Sequence, residues 1–471
     1  MSNRLLRTTT AAAALTLGLS LFFVVGVLAL NAALWLVCPE PYNESGLQHS
    51  WTTLRGQGGD DSWGAMNVAL DHARSSPEVP LYTQIFFAAQ YRFQYPPSAL
   101  FALMAMRVAP GSVQVTDFYE GAWPPVNTVL GWIFIALTVV AAVALLESGL
   151  RRTQPGTDWK RLRSVRIAVA AALALTFYPI VKAFTLGQIQ VWLNGGFALA
   201  LLAWVAGRKI SSGVLLGAVA LVKPHYGLIL VWAVLRRELH FAAACAATIG
   251  VGLAASLAVF GWANHLDYVK VLSFLSQHGE AYYPNQSVNG LLNRLMSLAD
   301  PLLYVSLDLP AGKFPAFNPW IYAATLATSA AFLLTALMRR SSTQEPDRAL
   351  DFSTMVLSCT MASPIAWEHH YGVLLPIYAL MLPTVLHDRN RLIWLAASYL
   401  LVSTFLPVTN TLSATPLNVA QSSLFAGALI FLVLLHTRGL GATLPLDRAA
   451  VDGKGDANSV SSHRVMPRIS T

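Results

Sequence analysis

RRTQPGTDWKRLRSVR, residues 151–166, carries six basic side chains and one acid, and it lies between two long apolar runs. Lys and Arg gather in the cytoplasmic loops of membrane proteins. Placing this segment in the cytoplasm sets the direction of every span around it. The apolar run before it, about 126–147, then crosses inward from the outer face. Arg4 and Arg7 put the N-terminus in the cytoplasm too, so a first span over 14–37 ends outside and residues 38–93 form a long outer loop. One segment disturbs the count. YPPSALFALMAMRVAP, residues 95–110, opens on Pro96-Pro97, contains Arg107 and falls short of the roughly 20 residues that a crossing needs. If it crossed, the most basic loop of the chain would lie outside. It reads as a re-entrant or juxtamembrane helix, which is tolerated where it lines a protein cavity.

Composition agrees with a polytopic membrane protein. Of 471 residues, 55% are hydrophobic and 11% charged, against about 25% charged in soluble domains. The net charge of +8 belongs to cytoplasmic loops and is no sign of nucleic-acid binding. Cys38, Cys245 and Cys359 are scattered, with neither a disulfide framework nor metal-ligand spacing. The first apolar run is far longer than a secretory h-region, and no small-x-small cleavage site follows it. Val37, before Cys38, is too bulky for a lipoprotein cleavage site. A retained first helix is expected.

The remaining spans are expected at 165–184 and 189–206, joined by Gly187-Gln188, and at 241–261, 319–338, 352–366, 371–386, 391–407 and 421–436. Between Arg208-Lys209 and Arg236-Arg237 there is room only for two short helices broken at Pro224. A second long outer loop covers 262–318. The sum is an all-α polytopic protein of ten full crossings, two short helices and one re-entrant segment. A membrane domain over 1–437 precedes a polar tail, 438–471, expected to be disordered in the cytoplasm. With this topology Asp60-Asp61, Gln188, the 262–318 loop and the SPIAWEHHYG stretch, 363–372, emerge on one outer face.

Each polar cluster has a structural and a chemical reading. Asp60 or Asp61, ahead of an amphipathic helix pattern, would serve as an N-cap or as a general base for a hydroxyl nucleophile. Tyr95, Pro96 and Pro97 suit one wall of a cavity. Lys223 in LVKPHYGL either snorkels to the surface or marks an anionic partner, since a Lys amid apolar segments is costly. Lys182 and Arg294 are further candidates for a lipid phosphate. Asn285, Gln286 and Ser287 beside Tyr282 and Tyr283 offer hydrogen bonds and flat faces to a sugar, or form only a polar loop. Asn285-Gln286-Ser287 is also a formal glycosylation sequon, a weak match. His369 and His370 are adjacent and share no helix face. With no HxxxH or HxxE pattern, metal binding is the weaker reading, and contact between one His and a substrate, with Glu368 orienting it or capping a helix, the stronger.

Together these elements resemble glycosyltransferase family 87. They are an acidic first outer loop leading to YPP, a G-Q turn opening a span, a G-x-x-x-L-V-K-P segment, NQS-x-x-G in a second outer loop, and SP-x-x-W-E-HH late in the chain. The resemblance implies a GT-C fold of about 10–13 membrane helices with two long periplasmic loops. It implies sugar transfer from a polyprenyl-monophosphate donor, such as a mannosyl donor, to a periplasmic glycolipid or polysaccharide at a bacterial inner membrane. An outer-loop Asp acts as base, with inversion at the anomeric carbon. Carried over by motif, Asp61 is the base, with Asp60 as alternate. His369, His370 and Glu368 stand near donor phosphate or sugar, and Gln188, Asn285, Gln286 and Ser287 line the cleft. The family role of Lys223 is inferred from its charge. No cofactor or metal is expected, because a lipid phosphate is a fair leaving group and a cation or His donor can stabilise its charge. The competing readings are a transporter or flippase of a polyprenyl-linked sugar, using the same cleft without a base, and a GT-C-like glycan polymerase or ligase.

Overall fold

The computed structural model describes residues 2–37, 45–108, 125–153, 163–297, 314–339 and 347–437. The 438–471 tail, Cys38 and part of each long outer loop lie outside the described residues. Within them there is no β-strand, only an isolated bridge between Asn285 and Trp367. The molecule is an all-α polytopic membrane protein. Among the described residues, five helices are long and apolar enough to cross a bilayer, at Leu17–Val37, Val126–Arg152, Leu239–His278, Pro319–Met338 and Pro416–Thr437. The 165–184 span is bent by 63° between Arg163–Thr176 and Tyr178–Thr185. At the other four expected crossings stand helices shorter than a full crossing needs, Gln190–Val205, Asp347–Met361, Leu374–Val385 and Arg389–Ser403, the second of them starting five residues ahead of the expected 352–366. Asp347–Met361 and Leu374–Val385 are buried almost throughout. Helices enclosed by protein need not match the lipid thickness, and their short ends leave room for a cavity.

Local sequence accounts for the boundaries. Asn318 accepts from the Trp320 and Ile321 N–H groups, with Pro319 as the first helical residue, so Asn-Pro starts Pro319–Met338. At its other end Arg236 donates to the carbonyls of Ala336, Leu337 and Arg339 while paired with Asp351 at 2.6 Å. The glycine of G-x-x-x-L-V-K-P, Gly217, marks a close helix crossing. A Cβ there would lie 2.9 Å from the Cys245 carbonyl oxygen. That helix, Lys209–Val222, ends at Lys223, and Pro224 opens a 3₁₀ turn before Ile229–Leu235, as the broken pair requires. The YPP segment enters a 3₁₀ turn at Pro97–Ala99 and then Leu100–Val108, a helix rising only about 13 Å at 1.5 Å per residue, too short to cross.

The second outer loop differs from expectation. The helix begun at Leu239 bends at Gly261 (φ 76°, ψ 161°) and continues to His278. Its extension clamps the first outer loop. Asn264 accepts from the Leu81 N–H at 2.8 Å, and Asp267 accepts from the Thr83 N–H at 2.6 Å and hydroxyl at 2.7 Å. Period 3.6 carries through WANHLDYVKVL, but the polar residues Asn264 and Asp267 on its buried face hide the helix behind a loop-like composition.

A second correction concerns Asn285, Gln286 and Ser287. All three are buried, and their hydrogen bonds run to the chain itself. Asn285 donates to the carbonyls of Glu280 (2.9 Å) and Pro364 (3.1 Å) and accepts from the Ala366 N–H (3.0 Å). Gln286 donates to the Tyr283 and Gln421 carbonyls and accepts from the Phe425 N–H. Ser287 caps Val288–Met296 and donates to the Pro364 carbonyl. The backbone adds Gln286 N–H to Ala366 O (2.8 Å) and Glu368 N–H to Pro284 O (3.0 Å). The amides therefore hold the SPIAWEHHYG stretch in place, and the buried sequon is inaccessible in the folded chain. Arg294, fully buried, donates to the Tyr282 and Asn285 carbonyls and to the Ser422 hydroxyl. It braces the same unit. Replacing Asn285 by Asp keeps the acceptor for Ala366 but removes both donors; the Pro364 carbonyl keeps the Ser287 hydroxyl, while the Glu280 carbonyl is orphaned. We expect a loss of about 1–3 kcal/mol for that orphaned group, read as a lower melting temperature in detergent; an unchanged melting temperature would contradict this bracing role.

Candidate active site

A cavity of about 1220 Å³ gathers most of the chemically active residues. Asp60, Asp61, Tyr95, Lys182, Gln188, Lys223, Glu368, His369 and His370 all line it. Segments far apart in sequence meet here: the start of helix Asp61–Ser75, the YPP segment, the G-Q turn, the K-P break and the EHH turn. Asn285, Gln286, Ser287 and Arg294 stand behind the wall, and Pro96 and Pro97 are buried behind Tyr95.

The acidic end is built by two helix termini docked on one another. Helix Tyr178–Thr185 closes with the Gly187 N–H on the Phe184 carbonyl and the Gln188 N–H on the Ala183 carbonyl. That crossed pair needs a left-handed residue, supplied by Gly187 at φ 70°. The remaining carbonyls then point at the first turn of Asp61–Ser75. Thr185 O accepts from Gly59 N–H (2.8 Å), Leu186 O from Asp61 N–H (3.0 Å) and Gly187 O from Ser62 N–H (3.4 Å). The first amides of a helix lack intrahelical partners, and here another segment's carbonyls satisfy them. Asp60 occupies the cap position but makes no side-chain capping bond. Neither carboxylate of the pair is consumed by capping.

Asp61 accepts a hydrogen bond from the Gln188 amide. It is open to the cavity yet walled by protein, and this loss of hydration raises its pKa above the ordinary carboxylate range. The neighbouring Asp60 adds to the rise, while Gln188, Arg92 and Lys182 oppose it. The Asp60 carboxyl is also raised by burial.

The cationic part of the cavity lies around the EHH turn. Lys182 acts on both the Asp61 and the Glu368 carboxyls. Glu368 accepts from the Tyr178 hydroxyl at 2.8 Å, and burial raises its pKa while Lys182 opposes the rise. Burial, followed by the charges of Lys223 and Lys182, holds His369 well below its ordinary pKa, so its imidazole is neutral. Among the described residues, neither Lys223 Nζ nor His369 Nε2 has a hydrogen-bond partner, although both are buried. Unpartnered buried polar atoms are expensive, and an amine donor beside an open cavity is complementary to an anion, whose charge favours the protonated amine. No group of three or more His, Cys, Asp or Glu side chains suited to a metal occurs among the described residues.

Sequence reasoning missed Arg92, Trp367 and His225, which also line the cavity. Arg92 pairs with Glu280, which accepts from the Trp367 indole N–H as well. A signal for Arg92 was present: an arginine at the YPP approach, on the side that the positive-inside rule leaves poor in cations.

The protein-family model of glycosyltransferase family 87 matches residues 93–364, more than half of the chain. The matched stretch holds Tyr95, Lys182, Gln188 and Lys223; Asp60, Asp61, Glu368, His369 and His370 lie outside it. The chain is 27% identical over 264 residues to a polyprenol-phosphate-mannose-dependent alpha-(1-2)-phosphatidylinositol mannoside mannosyltransferase of Mycolicibacterium smegmatis, covering 53% of this chain and 54% of the relative. It is 27% identical over 207 residues to a polyprenol-phosphate-mannose-dependent alpha-(1-2)-phosphatidylinositol pentamannoside mannosyltransferase of Mycobacterium tuberculosis, covering 44% and 43%. The chain thus spans about half the length of the curated relatives it matches. No solved structure matches it. With its matched stretch running from the YPP approach through the G-Q turn and the K-P break to the start of the SPIAW segment, the chain belongs to glycosyltransferase family 87.

Proposed function

We propose that this protein transfers a sugar from a polyprenyl-monophosphate donor to a hydroxyl of a glycolipid or glycan, at the outer, periplasmic face of a bacterial inner membrane. The donor named for both relatives makes mannose the first sugar to test. The observation that carries the reading is one cavity lined by the Asp61 carboxylate, the unpartnered amine of Lys223 and the unpartnered imidazole of His369.

The chemistry follows from these groups. Asp61 takes the proton of the acceptor hydroxyl as its oxygen attacks the anomeric carbon. The bond from that carbon to the phosphate oxygen breaks, its electron pair leaves on the lipid phosphate, and the anomeric centre inverts. Lys223 and the N–H of His369 stabilise the phosphate charge in a site shielded from bulk water. The raised pKa of Asp61 strengthens its ionised form as a base. No step needs a metal bridge, because a monophosphate donor leaves with one stabilised oxyanion.

Three outcomes test this. In membranes supplied with radiolabelled polyprenyl-phosphate mannose, Asp61→Asn should lower transfer by at least about a hundredfold, and Asp60→Asn by much less. Full activity in both single variants and in the double variant would remove the base. For the wild-type protein, kcat/KM should fall on the acid side with a midpoint above the ordinary carboxylate range, because the base is lost as pH drops through the raised pKa of Asp61; a midpoint in the ordinary range would place the base elsewhere. Chelator should leave transfer intact, and abolition that added divalent cation restores would refute metal independence.

A further inference from the structure

Gln188, Ser62 and Tyr95 form a closed set of hydrogen bonds beside Asp61. The Gln188 side-chain oxygen accepts from the Ser62 hydroxyl at 2.6 Å and from the Tyr95 hydroxyl at 2.8 Å. The Ser62 hydroxyl in turn accepts from the Ile189 N–H at 3.1 Å. With its oxygen committed twice, the amide has only its NH₂ to offer, and that group donates to Asp61 Oδ2. The reverse orientation would set a carbonyl oxygen against a carboxylate, a repulsive contact in a poorly hydrated site. Tyr95 is itself anchored, since its carbonyl accepts from the Tyr82 hydroxyl at 2.6 Å.

From this geometry we propose that Gln188 is the positioning residue for Asp61, and that Tyr95 and Ser62 lock its amide in the orientation the base requires. This rests on Asp61 acting as the base and replaces the expectation that Gln188 contacts the donor. The set does two things. It holds one carboxylate oxygen, so that the other faces the acceptor hydroxyl. It also offsets part of the burial that favours the protonated form, because a donor to a carboxylate stabilises the ionised state. Without such a donor, this poorly hydrated carboxyl would be protonated over more of the pH range and unable to accept a proton. The three residues come from the first outer loop, the YPP segment and the G-Q turn, so the arrangement couples the base to the docking of all three segments.

The test is the pH profile of transfer from polyprenyl-phosphate mannose. Gln188→Leu should shift the acid limb of kcat/KM upward by about one pH unit, the size expected for losing a hydrogen bond to a charged group. Gln188→Glu keeps the shape but sets a second carboxylate beside Asp61. It should shift the limb further in the same direction. Tyr95→Phe removes one of the two donors that orient the amide, and should shift the limb in the same direction by less. If Gln188→Leu fails to fold, Gln188→Glu and Tyr95→Phe read the same quantity. An acid limb unmoved in all three, with the rate lowered equally at every pH, would overturn the proposal in favour of a structural role. An unmoved limb with a raised KM for the donor would overturn it in favour of donor contact. An active Asp61→Asn variant would remove the base and this proposal together, whereas an inactive one beside unmoved limbs would remove this proposal alone.

Discussion

Irregular backbone buried in protein must find hydrogen bonds within it, and the site is assembled by that requirement. The stretches that carry the chemistry are the ones that leave the helical ladder. They satisfy one another across the fold: Pro284–Ser287 with Pro364–Glu368, and Gly59–Ser62 with Thr185–Gly187. A buried peptide group left unpaired costs a few kcal/mol. The non-helical segments therefore meet as fixed pairs, and the residues at their tips, Asp61, Gln188 and the EHH turn, are brought to one cavity.

This pairing also explains how a chain with so few charges maintains a polar site. The helices supply apolar walls, and the polar groups fall into two sets. Asn285, Gln286, Ser287 and Arg294 are spent on carbonyls, amides and hydroxyls of the framework. Lys223 and His369 keep buried polar atoms without partners. Both sets look alike in sequence, as polar residues near membrane boundaries. What separates them is whether a carbonyl lies within reach. The first set braces the wall, and the second faces the cavity that the bracing keeps open.

The two docked helix ends take the capping half out of the double reading of the acidic pair. An acid pair ahead of a helix is either a cap or a reactive group, and sequence offers no means to choose. The carbonyls of Leu186 and Gly187 reach the first amides of Asp61–Ser75, so the capping task is already filled. The G-Q turn, about 125 residues further along the chain, thereby decides what Asp60 and Asp61 are available to do.

Much of the fold was legible in the sequence, because hydrophobic length, loop charge and the Pro breaks act locally. The long spans, the break at Pro224, the short YPP helix and the amphipathic helix after Asp61 all follow from such signals. Membership of the family was legible from the order of its motifs. The extension of Leu239–His278 past Gly261 was not, because its buried turns carry Asn264 and Asp267, whose partners Leu81 and Thr83 lie in a distant loop. Nor was the division between framework amides and cavity-lining groups. By itself the sequence determined most of the helical segments and which residue types are at hand, since these depend on period and length. Only the tertiary structure decided which polar side chains are consumed by backbone and which are left facing the cavity, because a hydrogen bond depends on a distance between segments that no local pattern encodes.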